Sequence, residues 1–256
     1  MTAFKPSDWP CPRWIAHRGA GKLAPENTLA AFRIGAVHGF RAFECDVKLS
    51  ADEVPFLLHD TNLQRTTDAR GRAADRPWHE LSRIDAGGWH SRTFAGEPLP
   101  SLEAIARFCL RNGFFLDLEI KPTPGSEELT GRIVAEHVER LWGSAPTLPL
   151  LTSFAPVALD AARRTRPDLP RGLLLDSLRP GWLDEAQGLG CKTVVTNYSV
   201  ADAAMIASIH DRDMKALVYT VNDPAAAKRL IALGIDGLVT DAVDRFSPGV
   251  EDAIAD

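Results

Sequence analysis

Short apolar segments alternate with longer amphipathic segments along almost the whole chain. Eight of the apolar segments have the length of buried strands, and they occupy residues Arg13–His17, Ala42–Lys48, Phe114–Ile120, Leu148–Ser153, Arg171–Leu175, Thr193–Thr196, Ala216–Thr220 and Gly237–Thr240. The segments between them carry apolar residues at helical spacing, for example Leu102, Ile105 and Cys109. Glycines that follow several of these segments, such as Gly39 and Gly113, are typical of helix ends.

This alternation predicts an α/β fold. Eight strand–helix units in a chain of 256 residues are typical of a (β/α)₈ barrel, or TIM barrel. The competing α/β architecture is a doubly wound open sheet, whose first strand is often followed by a GxGxxG turn. No such turn follows Arg13–His17. We therefore predict a single TIM-barrel catalytic domain over residues 1–256.

One segment interrupts the alternation. Residues 61–100 are polar and rich in Arg, Asp, Gly and Trp, and the segment is too long for an ordinary strand–helix loop. Trp78, Trp89 and the run Leu81–Ile84 indicate that it is ordered. We predict that it forms a small insertion after the second strand, on the mouth of the barrel.

Composition limits the partners of this domain. Hydrophobic residues make up 45% and charged residues 25% of the chain, as in ordinary soluble proteins. The net charge of −5 predicts no basic surface for nucleic acid or anionic lipid. No apolar run is long enough to span a membrane, and no signal-peptide core precedes the first strand. The four scattered cysteines form no CxxC pair and indicate free thiols.

From these features we expect a cytoplasmic protein with a small-molecule substrate. We expect no nucleic-acid partner and no stable membrane association, and the oligomeric state stays open.

Charged residues stand at strand ends, where the reactive groups of TIM barrels lie. Glu44 and Asp46 share one face of the second strand, and Glu119 and Lys121 share one face of the third. Three converging carboxylates repel one another unless a cation lies among them, and hard oxygen ligands favour Mg²⁺ or Ca²⁺. We therefore predict a metal site at Glu44, Asp46 and Glu119. The alternative is a set of structural carboxylates paired with Arg18 and Lys121.

Two histidines are expected beside these carboxylates. His17 ends the first strand. The segment after the second strand predicts a hairpin with a polar loop of about four residues around Ser50–Glu53. The centre of that loop lies midway between Glu44 and His59, so the returning arm would bring His59 to the acidic cluster. The remaining histidines have no such placement and are expected on the surface or in the core; they are His38, His79, His90, His137 and His210.

This set of groups is suited to phosphodiester cleavage. Arg18 and Lys121 would neutralise a phosphate and its developing charge, and a metal would polarise a phosphoryl oxygen. One imidazole, His17 or His59, would take a proton from the nucleophile and the other would give one to the leaving alkoxide.

The chain resembles the glycerophosphodiester phosphodiesterase family, of the bacterial cytoplasmic type, over nearly its full length. Its matching motifs are His17-Arg18-Gly19, Pro25-Glu26-Asn27-Thr28, Glu44-Cys45-Asp46-Val47, His59-Asp60 with Leu63, Arg65 and Thr66, Leu118-Glu119-Ile120-Lys121-Pro122, Thr220-Val221-Asn222, and Gly234-Ile235-Asp236-Gly237 with Thr240-Asp241. The resemblance implies a TIM barrel with an insertion after the second strand. It also implies site residues: metal ligands Glu44, Asp46 and Glu119, acid/base histidines His17 and His59, and phosphate contacts Arg18 and Lys121.

The implied activity is the hydrolysis of a glycerophosphodiester, such as glycerophosphocholine or glycerophosphoethanolamine, to sn-glycerol 3-phosphate and an alcohol. The implied cofactor is a divalent metal, Mg²⁺ or Ca²⁺. Two alternatives remain: a related phospholipase that acts on lysophospholipid or sphingomyelin, and a non-catalytic barrel that binds phosphodiesters. The sequence leaves open the head group, the choice between direct water attack and a cyclic phosphate, and which histidine is the acid.

Tyr219 departs from the family pattern, in which Trp usually precedes Thr-Val-Asn. If its ring faces the pocket, we expect it to form an apolar wall against the glycerol carbons, with its hydroxyl near a glycerol oxygen. The alternative is that Tyr219 points outward into the helix layer.

The other motif residues have supporting roles. Asn27 or Thr28 is expected to cap the following helix, and Asp60 to hold the preceding imidazole in one tautomer. Glu26 is expected either to orient the histidine or the arginine of the first motif or to support the helix cap. Asp241 is expected to be structural.

Overall fold

The computed structural model describes residues 10–246 and residue 248. Eight parallel strands close into a barrel, because β1 pairs with both β2 and β9. In chain order, and including the antiparallel strand β3 outside the barrel, the strands are β1 (Trp14–Ala16), β2 (Ala42–Leu49), β3 (Pro55–Leu57), β4 (Phe115–Ile120), β5 (Leu150–Ser153), β6 (Arg171–Leu175), β7 (Thr193–Asn197), β8 (Lys215–Tyr219) and β9 (Gly237–Thr240). The TIM-barrel prediction is confirmed. All eight predicted strands are present, with ends displaced by at most two residues.

Helices surround the barrel and connect successive strands. They are α1 (Leu29–Val37), α2 (Trp78–Leu81), α3 (Leu102–Asn112), α4 (Glu127–Trp142), α5 (Pro156–Thr165), α6 (Trp182–Gly188), α7 (Ala203–His210) and α8 (Pro224–Ala232). The helical spacing in α3 has the predicted effect, since Leu102, Ile105 and Cys109 are fully buried. Gly113 ends α3 in the left-handed conformation, with φ of 65°.

Both ends of the chain lie outside the described residues. The predicted domain over residues 1–256 extends beyond the described residues at both ends, and most of the segment examined for a signal peptide also lies outside them. Among the described residues, no helix combines the length and apolar character that crossing a bilayer requires. The four cysteines are free and buried, as predicted.

The barrel interior has an apolar floor. Side chains from alternate positions of the strands fill its lower part, and they include Ile15, Phe115, Leu174 and Val239. A larger apolar layer lies between the strands and the helices. Charged residues of β2 and β4 lie above the floor, at the carboxyl ends of the strands, where TIM-barrel sites are built.

Residues 50–101 connect β2 to α3 on the mouth of the barrel and include the predicted insertion over residues 61–100. β3 pairs antiparallel with β2, with Val47 opposite Leu57 and Leu49 opposite Pro55. The pairing is displaced by one residue from the predicted register, because the loop has five residues and Glu53 adopts a left-handed φ of 61°. Beyond β3, the insertion packs around its own small apolar core, the insertion core, formed by Phe56, Leu58, Leu63, Ala73, Leu81, Ile84, Ala86 and Leu99.

Candidate active site

A cavity of about 310 Å³ opens at the carboxyl ends of the barrel strands. Its lining brings together almost all the predicted site residues: His17, Arg18, Glu44, His59, Glu119, Lys121 and Tyr219. Asp46 lies directly behind this lining, within ion-pair distance of Arg18 and Lys121. The hairpin therefore delivers His59 to the acidic cluster despite its displaced register.

The three carboxylates predicted to bind metal converge. Glu44, Asp46 and Glu119 are buried, and one oxygen of each lies within 4.8 Å of the others. The register of the barrel explains this, because Asp46 on β2 is directly opposite Glu119 on β4. Glu44 points to the same side as Asp46, two residues earlier on the strand.

The three carboxylates of this cluster differ in how firmly they hold a proton. Burial, together with the negative charge of Asp46, raises the pKa of Glu44 well above its usual range and that of Glu119 to about 7. Burial acts in the same direction on Asp46, but Arg18 and Lys121 outweigh it and hold its pKa below the usual range.

A divalent cation fits this donor set. Oδ1 of Asp46 is buried and accepts no hydrogen bond, although Lys121 Nζ lies 3.3 Å away. Lys121 also binds Glu119, with its Nζ 2.8 Å from Oε1, and Arg18 Nε lies 3.3 Å from Asp46 Oδ2. The ion pairs of the alternative interpretation are therefore present, yet one buried oxygen of Asp46 is left without a hydrogen bond. Oxygen donors with one unused buried lone pair suit Mg²⁺ or Ca²⁺.

Asn27 holds the central carboxylate in place. Its side-chain Nδ2 donates to Asp46 Oδ2 at 2.8 Å, and its Oδ1 accepts from the Asp46 backbone N–H at 3.0 Å. Thr28, not Asn27, caps α1, with Oγ1 accepting from Ala31 N. The reciprocal pair with Asp46 is not visible in sequence, because both residue types are also common at turns and caps.

His17 is held by a carboxylate from the last strand. Its Nδ1 lies 2.6 Å from Asp241 Oδ1, and its Nε2 lies 3.7 Å from Glu44 Oε2. Asn222 donates to the other oxygen of Asp241 at 3.1 Å. Because a carboxylate accepts hydrogen bonds, the contact fixes the His17 proton on Nδ1 and leaves Nε2 toward the cluster. The sequence analysis expected only a structural role for Asp241, and its contact with His17 is what the structure adds.

His59 has a carboxylate partner of its own. Its Nδ1 lies 2.7 Å from Asp60 Oδ1, as expected from the adjacent position in sequence. Burial, with the charges of Arg18 and Lys121, lowers the pKa of His59 below its usual value although Asp46 opposes this. The imidazole is therefore neutral near pH 7, which suits a proton acceptor.

Arg65 joins the two sides of the site. Its guanidinium binds both oxygens of Glu26 at 2.8 Å. The same guanidinium binds both oxygens of Asp60, with Nε 2.7 Å from Oδ2 and Nη2 2.9 Å from Oδ1. Glu26 in turn accepts from Arg18 Nη1 at 2.8 Å, so it orients the arginine of the first motif and not the histidine. One residue of the insertion thus fixes the partners of both Arg18 and His59.

Lys48 is a charged residue of the site that the sequence analysis did not single out. It is buried, and its Nζ donates to the carbonyl oxygen of Lys121 at 3.0 Å. Burial lowers its pKa to about 8 against the attraction of Asp46. The signal was present in the sequence, since Glu44, Asp46 and Lys48 follow the two-residue period of one strand face.

Tyr219 lines the cavity and does not point into the helix layer. Its hydroxyl donates to the carbonyl oxygen of Leu175 at 3.3 Å. Thr220 also lines the cavity, although strand alternation predicts opposite faces for these neighbours. The ring meets Phe154 edge-on, with centroids 5.9 Å apart.

We expect the metal-free protein to lose stability as pH rises, because of Glu119. Burial raises the pKa of Glu119 in the folded protein to about 7 from its usual value of 4.5, so the folded state holds the proton more tightly and ionisation between these pH values destabilises it. Denaturant unfolding in chelator should show the free energy of unfolding of wild type falling by about 3 kcal/mol relative to Glu119→Gln between pH 4 and pH 8. Parallel pH profiles for the two proteins would contradict this.

We expect Asp241→Asn to lower kcat by about tenfold to a hundredfold with little change in KM. The amide cannot accept the Nδ1 proton with the same strength, so the His17 ring loses its fixed tautomer and orientation. Asp244→Asn is the matched control, because Asp244 is exposed three residues further along. Steady-state kinetics decide the matter, and an unchanged kcat in Asp241→Asn would show that this contact is only structural.

Residues 17–245 match the Glycerophosphoryl diester phosphodiesterase family. A glycerophosphodiester phosphodiesterase of Caldanaerobacter subterraneus subsp. tengcongensis is 30% identical over 234 residues, which cover 89% of this chain and 93% of that protein. A Bacillus subtilis (strain 168) glycerophosphodiester phosphodiesterase is 26% identical over 248 residues, covering 91% of this chain and 84% of that protein.

Solved structures agree with the barrel over its whole length. A phosphodiesterase from Oleispira antarctica, in complex with the product sn-glycerol-3-phosphate, superimposes with a TM-score of 0.89. It is 31% identical in sequence, and the match covers 98% of this chain and 99% of that chain.

Proposed function

The chain belongs to the glycerophosphoryl diester phosphodiesterase family, and from this premise we propose that it hydrolyses glycerophosphodiesters to sn-glycerol 3-phosphate and an alcohol with the residues of the cavity. It is a hydrolase of phosphoric diesters. The observation that carries the assignment of residues is the pairing of two imidazoles, each held through Nδ1 by a carboxylate, around a three-carboxylate cluster.

Glu44, Asp46 and Glu119 are the proposed metal ligands. When bound there, Mg²⁺ or Ca²⁺ supplies Lewis-acid polarisation of a phosphoryl oxygen and neutralises the carboxylates. Arg18 and Lys121 border the cluster on the cavity side, and we assign them to the non-bridging oxygens of the substrate phosphate. Their charge favours the transition state, in which negative charge on these oxygens grows.

His17 and His59 are the proposed acid and base. One imidazole accepts the proton of the attacking hydroxyl, and the other donates a proton to the leaving alkoxide. Asp241 and Asp60 keep the Nδ1 proton in place, so each Nε2 is the atom that exchanges protons. Glu26 and Arg65 keep Arg18 and Asp60 in position while the charges in the cavity change.

The proposed function is tested by an enzyme-coupled assay for sn-glycerol 3-phosphate. The panel contains glycerophosphocholine, glycerophosphoethanolamine, glycerophosphoinositol and glycerophosphoglycerol, each with Mg²⁺ or Ca²⁺. Release of sn-glycerol 3-phosphate from at least one substrate is expected. No release from any member, with folded protein and either ion, would overturn the proposal.

A second candidate substrate class is lysophospholipid, and one observation favours it. Three large apolar side chains, Phe154, Val157 and Leu178, are exposed in the segments that follow β5 and β6, and Phe154 lines the cavity. Exposed apolar side chains of this kind are suited to contact with an acyl chain. Including lysophosphatidylcholine in the panel separates the classes, because a kcat/KM for it above that for glycerophosphocholine would favour the second one.

A further inference from the structure

The cavity has a far wall that the proposed chemistry does not use. In the order of the barrel strands, β6 lies four strands from β1 in either direction, so it faces the strand that carries His17 and Arg18. Asp176 follows β6 directly and lines the cavity. Phe154 after β5 and Tyr219 at the end of β8 line the cavity on either side of it. We call Phe154, Asp176 and Tyr219 the far wall.

The carboxylate of the far wall has no cationic partner. Asn197 Nδ2 donates to Oδ1 of Asp176 at 3.1 Å, and the Tyr219 hydroxyl also interacts with this carboxylate. Within the part of the chain that the structure describes, no Lys, Arg or His forms an ion pair with it. On the opposite side, by contrast, Arg18 and Lys121 are both paired with carboxylates. Asp176 is exposed to the cavity, and it therefore presents negative charge to whatever lies between the two walls.

The two rings of the far wall make an apolar corner. Phe154 and Tyr219 meet at an interplanar angle of 88° with centroids 5.9 Å apart. The Phe154 face already attracts an ammonium group, since Lys121 Nζ lies 5.7 Å from its centroid. The hydroxyl of Tyr219 is engaged by Leu175 O and by the side chain of Asp176, so the ring itself is what the corner offers.

Two aromatic rings beside a carboxylate are the groups that recognise an organic ammonium ion. The rings attract the cation through their faces, and the carboxylate adds a charge of opposite sign. A head group that consists only of hydroxyls gains nothing from the rings and little from the charge. A head group with a carboxylate is repelled by Asp176.

We infer that the far wall is a subsite for the ammonium group of the substrate's second alcohol, so that the enzyme prefers diesters with a cationic head group over those with a neutral one. This inference rests on the proposed function. The phosphate lies at Arg18 and Lys121, and the second alcohol extends across the cavity toward Asp176. The ring of Tyr219 then faces this alcohol and not the glycerol carbons.

The test compares two substrates in two variants. Glycerophosphocholine carries a quaternary ammonium, and glycerophosphoglycerol is its neutral counterpart. Asp176→Asn removes the charge and keeps the shape, and Glu136→Gln makes the same change on the exposed face of α4. In Asp176→Asn we expect the ratio of kcat/KM for glycerophosphocholine to kcat/KM for glycerophosphoglycerol to fall about fivefold, the change of about 1 kcal/mol for one partly exposed charge.

In Glu136→Gln this ratio stays at the wild-type value. An equal ratio in wild type and Asp176→Asn, with both substrates hydrolysed, would overturn the subsite and leave the proposed function intact. Failure of wild type to hydrolyse either substrate would instead overturn the proposed function.

A second measurement uses an isolated cation as the probe. Tetramethylammonium chloride should inhibit hydrolysis of glycerophosphoglycerol competitively, with sodium chloride at equal ionic strength as the control. Its inhibition constant should rise in Asp176→Asn and in Phe154→Leu, which removes one ring. Inhibition no stronger than that of sodium chloride in wild type would count against an ammonium subsite.

Discussion

Complete chelation of divalent cations should abolish hydrolysis, and readdition of Mg²⁺ or Ca²⁺ should restore it. One oxygen each of Glu44, Asp46 and Glu119 lies within 4.8 Å of the others. Without a cation, burial and mutual repulsion raise the pKa values of Glu44 and Glu119. The assay is the release of sn-glycerol 3-phosphate after EDTA treatment and desalting, followed by titration with each ion.

The loss of activity should exceed a hundredfold, because the ion would supply the Lewis-acid polarisation of a phosphoryl oxygen. Glu44→Gln is the matched variant, and it should need a higher concentration of the ion for half-maximal activity. Full turnover in excess chelator would refute the metal site. The three carboxylates would then be partners of Arg18 and Lys121 only.

The second large effect is expected from the histidines. His17→Ala and His59→Ala should each lower kcat by about 10² to 10⁴, the usual contribution of a positioned acid or base. Both variants should remain folded, since each ring is partly exposed at the cavity and lies outside the apolar cores. His38→Ala is the control, because His38 is exposed at the end of α1.

A substrate with a better leaving group assigns the two roles. A p-nitrophenyl ester of glycerol phosphate needs no proton on its leaving oxygen, so it should restore turnover in the variant that lacks the acid and not in the one that lacks the base. Near-native kcat in either alanine variant with glycerophosphocholine would remove that histidine from proton transfer and leave it a binding role.

Short-range patterns explain why most of the barrel was predictable. A strand such as Arg171–Leu175 is bounded by the same residues in prediction and structure, because a buried parallel strand is a short apolar run between turn residues. The acidic cluster followed from the two-residue period of strands combined with the order of β2 and β4. Neither inference needed information on distant contacts.

Contacts between distant segments explain what was missed. Asp241 meets His17 across 224 positions of sequence, and closure of the barrel alone brings them together. Asn27 met the criteria for a helix cap, and only the path of β2 reveals that its amide binds Asp46. The hairpin register was displaced for a different reason. Glu53 adopts the left-handed conformation in a loop of five residues, and the composition of the loop did not require this conformation.

Through Arg65, the stability of the insertion affects how Glu26 and Asp60 are held in the active site. The segment that carries Arg65 is stabilised by the insertion core, which is separate from the two apolar layers of the barrel. Such a segment can unfold as a cooperative unit of its own, at a lower free energy than global unfolding. Its opening would release Glu26 and Asp60 together while the barrel stays native, so the temperature at which activity fails would report the melting of this subdomain and not of the whole molecule.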